Sequence, residues 1–123
     1  MNIKNITGYV VLVLLVVGLG LVLFKTSKPA VALDAFAQCV AEKKATMYGA
    51  AWCVHCQNEK KAFGESFKFV PYVECPDNIK VCTDLGINGY PTWIFGDGHR
   101  QEGELGLRGV AKETGCDLPA GIK

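Results

Sequence analysis

The pattern of apolar and polar positions divides the chain in two. From Ile6 to Phe24, nineteen consecutive residues carry no charge (ITGYVVLVLLVVGLGLVLF), and no polar stripe recurs at helical spacing. A soluble amphipathic helix needs such a stripe. At roughly 1.5 Å per residue this run predicts a helix about 28 Å long, close to the thickness of a bilayer's hydrocarbon core. The favoured expectation is an uncleaved membrane anchor over Ile6 to Phe24. Ala30-Val31-Ala32 has the A-x-A form of a signal-peptidase site, so a cleaved leader is the alternative. Against it, the run exceeds a leader's usual apolar core of about 7–15 residues, and Lys25 and Lys28 lie between the run and the site.

Beyond a tether from Lys25 to Leu33, the pattern becomes that of a small mixed domain, giving an anchor and tether over 1–33 and a domain over 34–123. Asp34 is a fitting N-cap for a helix DAFAQCVAEK that carries Phe36, Cys39 and Val40 on one face. Residues 46–50 read as a short buried strand, and 53–63 as a helix stopped by Gly64. Phe67 to Cys75 is aromatic and β-branched, a strand that Pro71 places at an edge or bulge. A short helix over 78–85, a strand over 92–95, a turn at Gly96-Asp97-Gly98, a returning strand over 99–102 and a last helix over 104–114 complete the order α-β-α-β-α-β-β-α. The first two strands flank a helix and are expected parallel, the last two antiparallel. The fold class is α/β: a mixed sheet of about four strands with helices on both faces.

Composition removes several function classes. With 20% charged residues and half the chain hydrophobic, disorder is excluded. Between Asp34 and Asp117, nine Lys and Arg stand against twelve Asp and Glu, a balance of −3, which is no footprint for nucleic acid. Lys4 and the amino terminus balance Lys25 and Lys28, so charge does not orient the anchor. The six cysteines do, because they suit an oxidising compartment. The expectation is a single-pass protein with a cytoplasmic N-terminus and an extracytoplasmic domain, on the periplasmic or cell-surface side.

Trp52-Cys53-Val54-His55-Cys56 follows a strand and opens a helix. Six cysteines in 123 positions give about 0.3 C-x-x-C pairs by chance, so position rather than spacing carries the weight. At a helix N-terminus, free N–H groups and the positive end of the dipole favour a thiolate at the first cysteine, with the second one turn inside. A cationic His55 would stabilise the reduced form and make the disulfide a stronger oxidant, on a scale running from about −270 mV to about −120 mV. The plain alternative is a solvent-exposed histidine without consequence. Gly89-Tyr90-Pro91-Thr92-Trp93 sets a proline at the mouth of a strand, although only about 5–6% of X-Pro bonds are cis.

WCVHC after one strand and GYPTW before another resemble the thioredoxin superfamily. More closely, MYGAAWCVHCQNEKKAFG, then YVEC, a further cysteine seven residues on, and GINGYPTWIF are similar to the thioredoxin-like domain fused to bacterial and plant vitamin K epoxide reductase homologues. The resemblance covers about Asp34 to Cys116. It implies Cys53 as the attacking cysteine, Cys56 as the resolving one, Trp52 beside them, and Tyr90-Pro91 as a cis-proline loop that pairs with an extended substrate. It also implies a structural pair Cys75–Cys82; parity leaves Cys39 and Cys116, paired or free. This chain departs from the pattern in having Val54 where many relatives have Pro, and Met47 where thioredoxins bury an Asp. The reductase's four-helix membrane domain has no counterpart in these residues, so quinone chemistry is expected in a separate membrane oxidase.

The function so implied is a membrane-anchored thiol–disulfide oxidoreductase acting on cysteine-containing exported proteins. It needs no cofactor, since the cysteine pair itself carries the electrons. Two other classes compete. Cys53, His55 and Cys56 could hold soft Cu or Zn, but zinc wants four ligands and His99 stands alone on the predicted hairpin. An inert disulfide-stapled interaction domain would leave His55 and the Pro91 loop without a role.

Overall fold

A computed structural model describes residues 3–23 and 33–122, in two units, 1–30 and 31–123. In the first, Ile3–Leu23 form one 21-residue helix, α1. Its described side chains, Ile3 and Asn5 to Gly18, are exposed. Among the described residues no helix is long and apolar enough to cross a membrane. Phe24, Lys25, Lys28 and the Ala30-Val31-Ala32 site lie outside the described residues.

The second unit runs α2 (Asp34–Glu42), β1 (Thr46–Gly49), α3 (Val54–Phe63), β2 (Tyr72–Glu74), α4 (Ile79–Asp84), β3 (Thr92–Ile94), β4 (Arg100–Glu102) and α5 (Gly106–Thr114). The strands form one sheet in the order β2-β1-β3-β4. β1 is parallel to β2 and antiparallel to β3, and β4 is antiparallel to β3. Met47 and Trp93 are partners in register and are both fully buried. Phe63 lies between α2 and the sheet, 5.6 Å from the Phe36 ring and 6.4 Å from that of Trp93. Phe36, Ala37 and Val40 of α2 and Val110 of α5 close this core.

Four sequence expectations change. Asp34 is the first residue of α2 rather than its cap: Leu33 takes the cap position, and Asp34 Oδ1 accepts from Ser66 Oγ at 2.6 Å. Leu33 is itself 6% exposed and packed in the core, so it belongs to the domain rather than the tether. The strand expected over Phe67 to Cys75 is limited to Tyr72–Glu74, because Gly64–Phe69 form a 3₁₀ helix. Phe67 buries its ring by edge contacts with Phe63 and Tyr72, at 5.9 and 5.8 Å, so its apolarity serves a turn. Pairing begins where the Pro71 carbonyl accepts from Met47 N. Finally, the two sheet faces are covered unequally. Met47 and Trp93 are sealed; on the other face, where alternation sends Thr46, Tyr48, Thr92 and Ile94, Thr92 is buried and the other three are half-buried. A domain this small cannot close both faces completely.

Two disulfides tie the unit together. Cys39–Cys116 joins α2 to the residue following the Gly115 turn, and Cys75–Cys82 joins the end of β2 to α4. At the β3–β4 turn, His99 stacks on Phe95, its Nδ1 meeting Asp97 and its Nε2 meeting Glu113 of α5 at 2.9 Å. The bond to Asp97, and then that to Glu113, raise the His99 pKa above the usual 6.5. A raised basic group stabilises the fold fully below its unfolded pKa and loses that contribution as pH rises through the folded value. The stability difference between wild type and His99→Gln is therefore expected to shrink as pH is raised above 6.5. Urea melts at pH 5.5 and pH 9 measure it.

Candidate active site

Cys53 takes the N-cap of α3 in an extended conformation, φ −76° and ψ 119°. Its sulfur accepts from Cys56 N at 3.3 Å, a capping bond that offers a helix N–H to negative charge on Sγ. The Cys53 thiol also lies 3.6 Å from the Tyr90 carbonyl oxygen, to which it donates. The Tyr90–Pro91 peptide is cis, and Pro91 O accepts from Gly103 N at 2.7 Å. Trp52 is 70% exposed, with its ring edge-on to Tyr90 at 5.9 Å. Trp52, Cys53, Tyr90 and Pro91 thus share one end of the sheet, and both Cys53 and Cys56 are free thiols.

Cys56 sits one turn inside and is completely buried. Burial, and next its contact with Cys53, push its thiol up to about 12. The geometry separates the pair: one sulfur, 8% exposed, under a helix N-terminus, the other held as a thiol fully buried behind it. A Cβ on Gly49 would stand 2.7 Å from Cys56 Sγ and 3.3 Å from the Tyr72 ring, so the strand passes the inner sulfur only because residue 49 has no side chain. Gly49→Ala is expected to displace Cys56 or cost about 1–3 kcal/mol of stability, read by urea denaturation.

Several residues missing from the sequence reading surround this pair. Lys60, on α3, places Nζ 3.6 Å above the Tyr72 ring and works against the rise at Cys56. Tyr72 donates its hydroxyl to Glu74, whose other oxygen accepts from Ala51 N at 2.8 Å, just ahead of the C-x-x-C. Glu59 is fully buried; burial raises its carboxyl above the usual range although Oε2 accepts from Leu105 N and Gly106 N. A charge at helical spacing between Cys56 and Phe63 on an apolar face was the one available signal for Glu59. His55 is directed to Glu104, Nδ1 to Oε2 at 3.0 Å, rather than hydrogen-bonded to Cys53. Nothing in the chain order advertised that partner, 49 residues away. Among the described residues no group of three or more His, Cys, Asp or Glu stands together as a metal site.

No family model matches the chain. It is 45% identical over 83 residues to thiol-disulfide oxidoreductase LTO1 of Arabidopsis thaliana, covering 60% of this chain and 22% of that protein. It is 39% identical over 51 residues to protein disulfide isomerase-like 2-2 of Oryza sativa subsp. japonica, covering 35% and 14%. To the thioredoxin domain-containing protein 5 homolog of Drosophila melanogaster it is 32% identical over 90 residues, covering 63% and 22%. The chain thus spans at most about a fifth of the length of these relatives. A solved structure of thioredoxin NaTrxh from Nicotiana alata is similar with a TM-score of 0.47 at 16% identity, over 60% of this chain and 76% of that one. The described domain is an α/β fold, a mixed four-stranded sheet with flanking helices, and the relatives it matches are named as a thiol-disulfide oxidoreductase, a protein disulfide isomerase-like protein and a thioredoxin domain-containing protein.

Proposed function

We propose that this domain is a thiol–disulfide oxidoreductase that cycles Cys53 and Cys56 between dithiol and disulfide. One observation carries the reading. The Cys53 sulfur is held between a helix N–H and the carbonyl of the Tyr90–Pro91 loop, with a buried thiol immediately behind it. The outer sulfur attacks, and the buried one resolves. Trp52, Tyr90 and Pro91 form the wall against which an extended substrate lies. Cys39, Cys75, Cys82 and Cys116 are bonded elsewhere and take no part.

Titration against glutathione redox buffers, with alkylation and mass measurement, tests this. One pair, Cys53–Cys56, should open and close at a defined potential while the other four cysteines stay unalkylated. A 53–56 pair that does not form a disulfide under oxidising buffer would end the proposal. The measured potential also decides whether the domain delivers or removes disulfides.

The setting is proposed in the same sense. The uncharged run Ile6 to Phe24, helical through Leu23, supports a membrane anchor with a cytoplasmic N-terminus and the domain on the extracytoplasmic side. The substrates are then cysteine-containing exported proteins. The oxidant is a quinone-linked membrane oxidase of the vitamin K epoxide reductase type. A tether of eight residues, 25–32, reaches at most about 26 Å, enough for Cys53 to meet a disulfide at the membrane surface. Carbonate extraction should leave the protein with the membrane, and a Cys56→Ser variant in native membranes should retain the oxidase as a mixed disulfide. Extraction into the soluble fraction, or capture of soluble proteins alone, overturns these two statements respectively.

A further inference from the structure

The grip of α3 on the segment ahead of α5 is built around one carboxylate. Glu104 Oε2 receives His55 Nδ1 at 3.0 Å and Asn58 Nδ2 at 3.2 Å. The next two residues are held from the same helix, with Leu105 N and Gly106 N donating to buried Glu59 at 2.9 and 3.1 Å. Residues 55, 58 and 59 lie one helical turn apart and so clamp 104–106 as a unit. Glu104 cannot wander from His55 without breaking this clamp.

An ionised carboxylate only accepts hydrogen bonds. The bonds from His55 and then Asn58 hold the Glu104 carboxyl below its usual range, which keeps it ionised. His55 Nδ1 must therefore be the donor, and in the neutral ring the lone pair is left on Nε2. Nε2 has no protein partner among the described hydrogen bonds, and the His55 side chain is 68% exposed. A ring pinned at one nitrogen, open at the other and placed between the two cysteines can carry a proton.

We propose that Glu104 is a positioning residue that makes His55 the proton carrier of the exchange reaction; this rests on the redox role of Cys53 and Cys56. From the dithiol, His55 Nε2 takes the Cys53 thiol proton, and Cys53 Sγ as thiolate attacks one sulfur of a substrate disulfide. A new S–S bond forms, the substrate's S–S bond breaks, and its electron pair leaves with the second sulfur. His55 Nε2 gives that departing thiolate a proton. The Cys56 thiol then attacks Cys53 Sγ, releasing the first substrate sulfur, and the proton lost by Cys56 passes to it. The protein ends as a disulfide and the substrate as two thiols. In the opposite direction the same nitrogen takes the proton from an attacking substrate thiol.

Leaving-group dependence distinguishes proton transfer from a loss of structure. An alkyl thiolate needs a proton as it departs, and an aromatic thiolate does not. Glu104→Gln in the full chain should slow reaction of the reduced protein with glutathione disulfide by about 10-fold or more. Its reaction with dithiobis(nitrobenzoate) should stay within about twofold of wild type. Glu104→Asp should recover part of the lost rate. Nitrogen-15 shifts of the neutral His55 ring should place the proton on Nδ1 in wild type and on a mixture of nitrogens in Glu104→Gln. Equal slowing with both disulfides, no slowing with either, or a wild-type ring protonated on Nε2 overturns the proposal. If wild type itself reacts with neither disulfide, the redox reading fails instead, and the two failures are told apart.

Discussion

Cys53→Ser is expected to abolish both oxidation of dithiols and reduction of disulfides, leaving activity at the level of buffer thiols. The hydroxyl that replaces Sγ can still accept from Cys56 N and so preserve the cap. It is not ionised at neutral pH and forms no mixed disulfide, whereas exchange proceeds through a thiolate. Cys56 offers no substitute, since it is fully buried and its thiol is pushed up to about 12. Cys56→Ser has a different outcome. Cys53 still attacks, nothing behind it resolves the product, and covalent complexes accumulate. Insulin reduction and non-reducing mass measurement follow the two variants. Wild-type rates in Cys53→Ser, or an absence of mixed disulfides in Cys56→Ser, contradict the assignment of roles.

Removing the Cys39–Cys116 bond is expected to produce the largest loss of stability of any disulfide change. Its cysteines are 77 positions apart, and the chain-entropy argument gives up to about 4.5 kcal/mol for a loop of this size. Cys75 and Cys82 are only 7 apart, and the same argument gives about 2.5 kcal/mol. Cys116 is 5% exposed against the core cluster, with Cys39 packed beside it, so substitution also loosens α2 from the end of α5. Urea melts of Cys39→Ser/Cys116→Ser and Cys75→Ser/Cys82→Ser, both with Cys53 and Cys56 intact, compare the two. The first double variant should lose more. A loss below about 1 kcal/mol there, or free thiols at 39 and 116 in wild type, contradicts the clip.

The legible part of this fold was local. Phe36 and Val40 on a helical face, Gly64 after Phe63 and the short loop before Arg100 each announce an element within a few residues, and the element order could be read from them. Over Phe67 to Cys75, aromatic and β-branched composition predicts a longer strand than the Tyr72–Glu74 that forms. The burial of its aromatic residues comes from rings meeting edge-on across a 3₁₀ turn, a contact that depends on where α3 ends. The residue type of Asp34 favours a cap, but Ser66, 32 residues away, holds its side chain.

For the site, the reactive groups are legible along the chain: two cysteines one turn apart at a helix start, a histidine between them, and a proline at the mouth of a later strand. These follow from residue type and spacing along one chain, and local geometry carries them into space unchanged. Their surroundings come from contacts between distant segments. The Tyr90 carbonyl meets the Cys53 thiol, the missing side chain of Gly49 makes room for Cys56, and Glu104 faces His55 because α3, β1 and the loops ahead of β3 and α5 converge at one end of the sheet. Such partners lie 37 and 49 residues from the cysteine and the histidine they touch. Pairing across that distance is set by sheet order and core packing, which no spacing rule along the chain encodes.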